Sequence, residues 1–421
     1  MIKSLQISEW RQFSNLEMNF DEKLTILTGA NGAGKTTLLN ILSNAFGWNP
    51  AFVSSFISQG KYTNSAHEEI TSKDGISIGQ IVFDKNETVD IILPKNVDST
   101  YSIRYSKKSN ADGLYISAHR PVFAYRKLHN IPILSGDRRV LFDQYKKFNE
   151  KYIEDEFRDT TDDLESGIGI IKSSLISLGL HGYASNEHVH ANPEMKTLFE
   201  QYSYVLNKVL PEELGFEALE INTPEVLLKT RTGEFILDAV SGGIASIIDI
   251  TWQLFMYADK NTRFTAIIDE PENHLHPKLQ RDFLANIVEC FPHIQFIIAT
   301  HNPFMISAVR ESKVYVLEYK KEMSKKDGVQ EKVVASDLND INRAGSSNDI
   351  LREVLGVESS IPKWAEKEIG KIIQEYSVKE FNIDTMNELK VKLMQYGFGE
   401  FIPRVIIKVM ESKNDQTDKG G

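Results

Sequence analysis

Apolar residues in the first 28 positions alternate as they do in half-buried strands: Leu5 and Ile7, then Phe20, then a compact run of Leu24, Ile26 and Leu27 that stops at Gly29. From Thr36 the spacing changes, with Leu38, Leu42 and Phe46 at helical intervals and Ile41 beside them. A strand therefore leads through a glycine-rich loop into a helix. Short alternating segments between residues 50 and 112, such as Ile76–Phe83 and Val89–Leu93, predict an antiparallel layer, and Gly113–Ser117 reads as a buried strand ending near His119 and Arg120. Residues 121–235 differ in character. Phe142–Phe157 and Glu194–Leu210 have helical spacing around a polar stretch, Gly179–Pro193, that holds His181, His188 and His190. Beyond this insertion, Phe264–Ile268 and Ile294–Ala299 are continuous apolar runs, the pattern of parallel strands covered on both faces. Between them a helix starts at Pro277 and repeats apolar residues at Leu279, Phe283, Ile287 and Phe291, which completes a βαβ unit. Two or three polar amphipathic helices are predicted after residue 345, and Ser412–Gly421 is too hydrophilic to order itself.

The expected fold class is α/β, a mixed sheet with an antiparallel layer, a helical insertion and a helical C-terminal tail. The expected boundaries are an N-terminal lobe at 1–120, the insertion at 121–235, a second lobe at 236–345, helices at 346–411 and a disordered tail at 412–421. The chain has 421 residues, 41% hydrophobic and 25% charged, enough to bury a large core. With 59 acidic and 48 basic residues the net charge is -11, so bulk positive charge does not hold nucleic acid here. One cysteine, Cys290, excludes an intramolecular disulfide and a thiolate zinc site and points to a reducing compartment. No stretch approaches the roughly 18 apolar residues of a spanning helix, and the start lacks a cleavable apolar core; the expectation is a soluble, cytoplasmic protein without membrane contact.

Four sequence elements carry chemistry. Gly29-Ala-Asn31-Gly32-Ala33-Gly34-Lys35-Thr36, followed by Thr37, fits the phosphate-loop pattern between a predicted strand and a predicted helix. Glycines there let backbone amides face a polyphosphate, Lys35 would neutralise β and γ oxygens, and the Thr36 hydroxyl would ligate Mg2+, which predicts ATP as the bound nucleotide. The apolar run Ile267-Ile268 then delivers Asp269, a second magnesium ligand, and Glu270, which would orient or deprotonate the attacking water. His301 follows the next apolar run, one crossover away, where it can reach a γ-phosphate. Finally, Ser241-Gly242-Gly243 opens an apolar helix 28 residues before Asp269, another anion-seeking helix start.

In order and spacing these elements resemble the ABC-type ATPase heads of the SMC, RecF and overcoming-lysogenization-defect groups; the string Ile268–Pro277 is especially similar to the last two. The resemblance covers residues 1–60 and 235–310. It implies paired protomers, in which Ser241, Gly242 and Gly243 of one chain close over nucleotide held by another, and an adenine or ribose contact for Arg11, Phe13 and Ser14, which a structural hairpin explains equally well. Two departures, Val240 and Ile244, flank the Ser-Gly-Gly and leave the phosphate-binding atoms untouched. Arg120 ends a strand at the position of a glutamine in such heads, where it reads either as a sensor of the phosphate or as a sheet-edge ion pair. His274 and His276 look like a metal pair, but in the turn before Pro277 packing and dimer contact account for them better than a metal. No Asp-x-Asp follows His301, since Asp337 and Asp340 are three apart, so no Toprim-type nuclease centre is expected. A stand-alone head without its own effector resembles the ATPase subunit of Septu-type antiphage systems, including retron-associated ones, which implies a dimer or higher oligomer and a separate nuclease or toxin partner of HNH or Toprim type. Nucleic acid would then be met through the assembly. The competing readings are a RecF-like repair ATPase clamping duplex DNA and a scaffold gated by ATP binding without turnover.

Overall fold

The computed structural model describes residues 1–58, 61–64, 71–72, 75–128, 137–154, 166–184, 188, 190–258, 263–324, 328–338, 347–356, 362–380 and 382–417. The chain divides into two compact units, Met1–Leu355 and Gly356–Gly421. Among the described residues, the first is built on a 12-stranded mixed sheet. β1 (Ile2–Trp10) and β2 (Phe13–Asn19) form an antiparallel hairpin, and on the far side of β1 the strands Gly75–Phe83 and Thr88–Leu93 extend the antiparallel layer that the alternation predicts. β3 (Leu24–Gly29) begins the parallel half, running beside Gln295–Ala299, then Thr265–Asp269, then Gly113–Ile116. Every residue of these four strands is buried, which is why they read as unbroken apolar runs.

A long hairpin, Lys313–Ser324 and Gly328–Asp337, joins the two halves. Its first strand runs parallel to β3 and its second meets β2. The sequence pattern does not single it out, because polar residues such as Lys320, Lys321 and Glu322 interrupt its length, while among the described residues Val314–Leu317 are buried as a block.

The insertion holds helices at Arg138–Glu154, Gly167–Tyr183 and Pro193–Val209, and then a three-stranded antiparallel sheet, Phe216–Asn222, Glu225–Thr230 and Gly233–Ile236. The sheet is additional to the expected helices; its one local cue is the alternation of Val226, Leu228 and Thr230 before a tight Arg231-Thr232 turn closed by Gly233. Helix Gly167–Tyr183 was also unexpected. It is buried on nearly all sides, so it has no polar face from which a period could be read. The polar loop at the middle of the insertion is correspondingly shorter than Gly179–Pro193.

In the second unit, helices Lys363–Ser377, Ile383–Gln395 and Ile402–Thr417 enclose a core of Ala365, Ile372, Leu389, Leu393, Val405 and Val409. The last helix corrects the expected start of a tail at residue 412. Once a helix is nucleated, each added residue gains a backbone bond, and a hydrophilic composition does not stop it. Residues 418–421 lie outside the described residues, as does Asp340. Among the described residues no helix is long and apolar enough to cross a membrane.

Candidate functional site

Strand register gathers the site. Leu27, Ala299 and Asp269 are in one cross-strand row, so the residues that follow each of them emerge together at the C-terminal edge of the parallel half, where open α/β sheets bind ligands. From β3 the chain turns through Ala30–Gly34 into α1 (Lys35–Asn44). Gly34 has φ 97°, and a Cβ there would come within 2.4 Å of the Phe13 ring; at Gly29, φ 136°, a Cβ would meet the Leu317 carbonyl at 2.5 Å. Both positions need glycine for conformation and for space.

Lys35 is buried, and its Nζ donates to the carbonyls of Gly29 (2.9 Å) and Ala30 (3.2 Å), folding the ammonium back over the loop. Burial lowers its pKa, opposed by the negative charge of Glu270, Asp269 and Glu272. Thr36 Oγ1 donates to Asp269 Oδ2 at 2.7 Å across the sheet edge. The other oxygen, Asp269 Oδ1, is buried without a hydrogen-bond partner, and burial pushes this carboxyl up to about 6, with the Thr36 hydroxyl pulling the other way. A hydroxyl and a carboxylate with an unused buried oxygen are hard donors that fit Mg2+.

Glu270 takes φ 45°, a left-handed conformation costly for a residue with a side chain. Its Oε1 lies 3.2 Å from His301 Nδ1, and its Oε2 accepts from Asn273 Nδ2 at 3.2 Å. Glu272 Oε1 accepts from the Thr300 hydroxyl and sits 3.9 Å from His301 Nδ1, so the imidazole stands between two carboxylates, one partly open and one buried. Burial raises the Glu272 carboxyl, and its Oε2 has no partner. Glu272 and Asn273 carry no expected role in the sequence, although they stand in the string Asp-Glu-Pro-Glu-Asn, which places a third carboxylate two residues after Glu270.

The structure thus brings together Lys35, Thr36, Asp269, Glu270 and His301. Ser241–Gly243 occupies another place. Ser241 caps helix Gly242–Tyr257 with no side-chain hydrogen bond to it, is exposed together with Gly242, and borders the turn at His274, whose carbonyl would lie 2.9 Å from a Cβ on Gly243. Arg11 lies over Trp10, 4.8 Å from the ring centroid, within 5.8 Å of Phe52 and of Tyr101, and donates to the Val53 carbonyl at 2.5 Å. That is an anchored guanidinium on an aromatic bed. His276 caps helix Pro277–Cys290, its Nδ1 accepting from Lys278 N at 3.3 Å, and no metal-holding group of His, Cys, Asp and Glu is present among the described residues. Arg138, Arg139 and Lys146 rest on the rings of Phe255, Tyr257 and Trp48. Arg120 is buried, and among the described residues its guanidinium donates to backbone carbonyls and to Ser246 Oγ rather than forming an ion pair at the sheet edge.

A phosphate loop, an Asp-Glu pair and a histidine at adjacent strand ends, with a helix-opening Ser-Gly-Gly elsewhere in the same unit, define a P-loop ATPase of the ABC-head class. The chain belongs to the family described as "AAA domain, putative AbiEii toxin, Type IV TA system", whose model matches residues 24–307. It is similar to the Septu protein PtuA of Bacillus thuringiensis, 22% identical over 75% of this chain and 76% of that one. It is similar also to the retron Vc95 probable ATPase of Vibrio cholerae, 22% identical over 75% of this chain and 73% of that protein. The solved SMC head domain from Thermotoga maritima aligns with 80% of this chain and 99% of its own, at 15% identity and a TM-score of 0.41.

Proposed function

We propose that this chain is an ATP-hydrolysing head that pairs with a second copy and controls a separate nuclease or toxin subunit in bacterial antiphage defence. The observation that carries the reading is the joined constellation at one sheet edge: Thr36 on Asp269 at 2.7 Å, and Glu270 against His301 at 3.2 Å. In this reading Asn31, Gly32, Ala33, Gly34 and Thr37 offer loop and helix amides to the phosphates, and Lys35 exchanges its two carbonyl partners for phosphate oxygens. Mg2+, held by Thr36 and Asp269, supplies positive charge against the polyphosphate when bound. Glu270 accepts the proton of the attacking water as its oxygen bonds to the γ-phosphorus and the bond to the ADP oxygen breaks. His301 holds Glu270 on its open side. Ser241 and Gly242, exposed, with half-buried Gly243 beside them and no side-chain hydrogen bond from Ser241 to its own helix, suit a nucleotide held by another copy. The likeness to PtuA and to the retron ATPase supports the defence role.

Phosphate release by the wild type, Lys35→Ala and Glu270→Gln tests the enzymatic part. Glu270→Gln should slow release by about 10²-fold or more while retaining ATP and shifting to a larger species in solution when ATP is added. Lys35→Ala should lose nucleotide binding. Equal release by all three proteins overturns the reading. For the control role, an effector encoded beside this chain should be restrained by the wild type and set free or silenced by Lys35→Ala; identical effector behaviour with both refutes it.

A further inference from the structure

The buried guanidinium of Arg120 makes five hydrogen bonds. Nη1 donates to the carbonyls of Ser117 (3.1 Å) and Asp269 (3.4 Å), and Nη2 to those of Glu270 (3.2 Å) and Asn273 (3.4 Å). Nε donates to Ser246 Oγ at 3.3 Å. Three of the four carbonyls belong to the turn that carries Glu270 in its left-handed conformation. A turn of that kind persists only where its surroundings over-determine it, and its buried carbonyls need donors. Arg120 supplies those donors from one plane. Asn273, held by the same guanidinium through its carbonyl, donates its side-chain amide to Glu270 Oε2 at 3.2 Å and to the Ala118 carbonyl at 3.3 Å. Thus both the backbone and the carboxylate of Glu270 are fixed from Arg120 outward.

The fifth bond leads elsewhere. Ser246 lies in the first turns of helix Gly242–Tyr257, the helix that Ser241 caps. Three residues further, buried Asp249 is the strongest negative charge acting on Arg120, and it accepts from Tyr145 OH on the insertion helix and from Gln253 Nε2 at 3.0 Å. One cation therefore joins the turn bearing the catalytic carboxylate to the helix that opens with Ser-Gly-Gly. We propose that Arg120 is the positioning residue for Glu270 and makes the placement of that carboxylate depend on the Ser241–Gly243 helix. The inference rests on the reading of Glu270 as the catalytic base. Lysine cannot substitute: it is a point charge with three donors on one atom, whereas the observed contacts need a planar fork spanning two nitrogens and a third donor beside them.

Full-length Arg120→Lys provides the test, through single-turnover ATP hydrolysis together with binding of a fluorescent ATP analogue. The expected result is a turnover rate lower by about 10²-fold, with nucleotide affinity and KM within about threefold of wild type, because a misplaced base slows chemistry without removing phosphate contacts. In the Glu270→Gln background, Arg120→Lys should change the residual rate by less than about twofold, since residues acting as one unit are not additive. A wild-type rate in Arg120→Lys, a loss confined to KM, or a further large loss in the Glu270→Gln background each overturns the proposal. If Arg120→Lys does not fold, Ser246→Ala takes its place, removing only the bond to the helix. It should lower turnover by about threefold to tenfold at unchanged affinity, and an unchanged rate refutes the link. Equal turnover by wild type and Glu270→Gln would instead refute the role of Glu270 itself.

Discussion

Asp249 lies in the middle of an apolar helix, fully enclosed, with Tyr145 OH and Gln253 Nε2 donating to its two oxygens. Burial pushes its carboxyl from the ordinary 3.8 to about 6, and the hydrogen bonds and Arg120 only partly offset this. The folded state therefore holds the proton more tightly than the unfolded chain. The contribution to stability is greatest below the unfolded value and is lost as pH rises toward 6. Asp249→Asn removes this titration. Between pH 4 and 6 the wild type should lose up to about 3 kcal/mol relative to the variant, two units at about 1.4 kcal/mol each, read from urea midpoints at both pH values. Parallel profiles for the two proteins would show that Asp249 does not carry the shift. The residues legible in the sequence and those that were not separate along the same physical line. Lys35, Thr36, Asp269, Glu270 and His301 follow strand ends directly, so local spacing betrays them. Arg120 acts through contacts more than 120 positions away, at Ser246 and at the 269–273 turn, and a single arginine after a strand carries no local mark of that.

Helix Gly167–Tyr183 shows how an element can hide in its own sequence. Its enclosed flank leaves no polar stripe, and its one interior charge, Lys172, is satisfied within the protein. Nζ of Lys172 is fully buried, donating to Asp238 Oδ2 at 3.0 Å and to the Arg126 carbonyl at 2.8 Å, with Glu225 completing the pair of carboxylates around it. Asp238 also accepts from Arg126 N at 2.7 Å. This cluster ties three elements: the insertion helix, the middle strand of the three-stranded sheet and the short helix Leu237–Ala239 that leads into Ser241. Removing the cation leaves two carboxylates enclosed without their partner, the costly way to break such a group. Lys172→Met should destabilise the protein by about 3–5 kcal/mol, seen as a lower urea midpoint. A change below about 1 kcal/mol, the scale of an exposed pair, would mean that water reaches the cluster. The hairpin Lys313–Asp337 was illegible for the opposite reason. Its polar outer length resembles a loop, and only its pairing with β3 and β2 makes it the seam of the sheet.

At the scale of the molecule, the two compact units have separate apolar cores. Every residue placed in the ATP site, and every residue in the Arg120 and Lys172 clusters, lies in Met1–Leu355. Ile350 and Val354, on helix Ser347–Glu353 and just after it, still belong to the core of that first unit. A chain ending at Leu355 keeps them and leaves out the second core as a whole. A domain of that size buries ample surface to fold by itself. The second unit, by contrast, exposes Trp364 (66%), Val378 (76%), Ile383 (74%) and Met394 (66%). The fragment 1–355 should therefore unfold cooperatively and release phosphate within about twofold of the full chain, as expected when autonomous domains are separated. Phosphate release and a urea curve on the same preparation decide the matter. Loss of both activity and cooperativity would show that the first unit depends on the second for its fold. Loss of activity with a normal unfolding curve would place part of the ATP site's control in the C-terminal helices, and the division of labour argued from the two cores would be wrong.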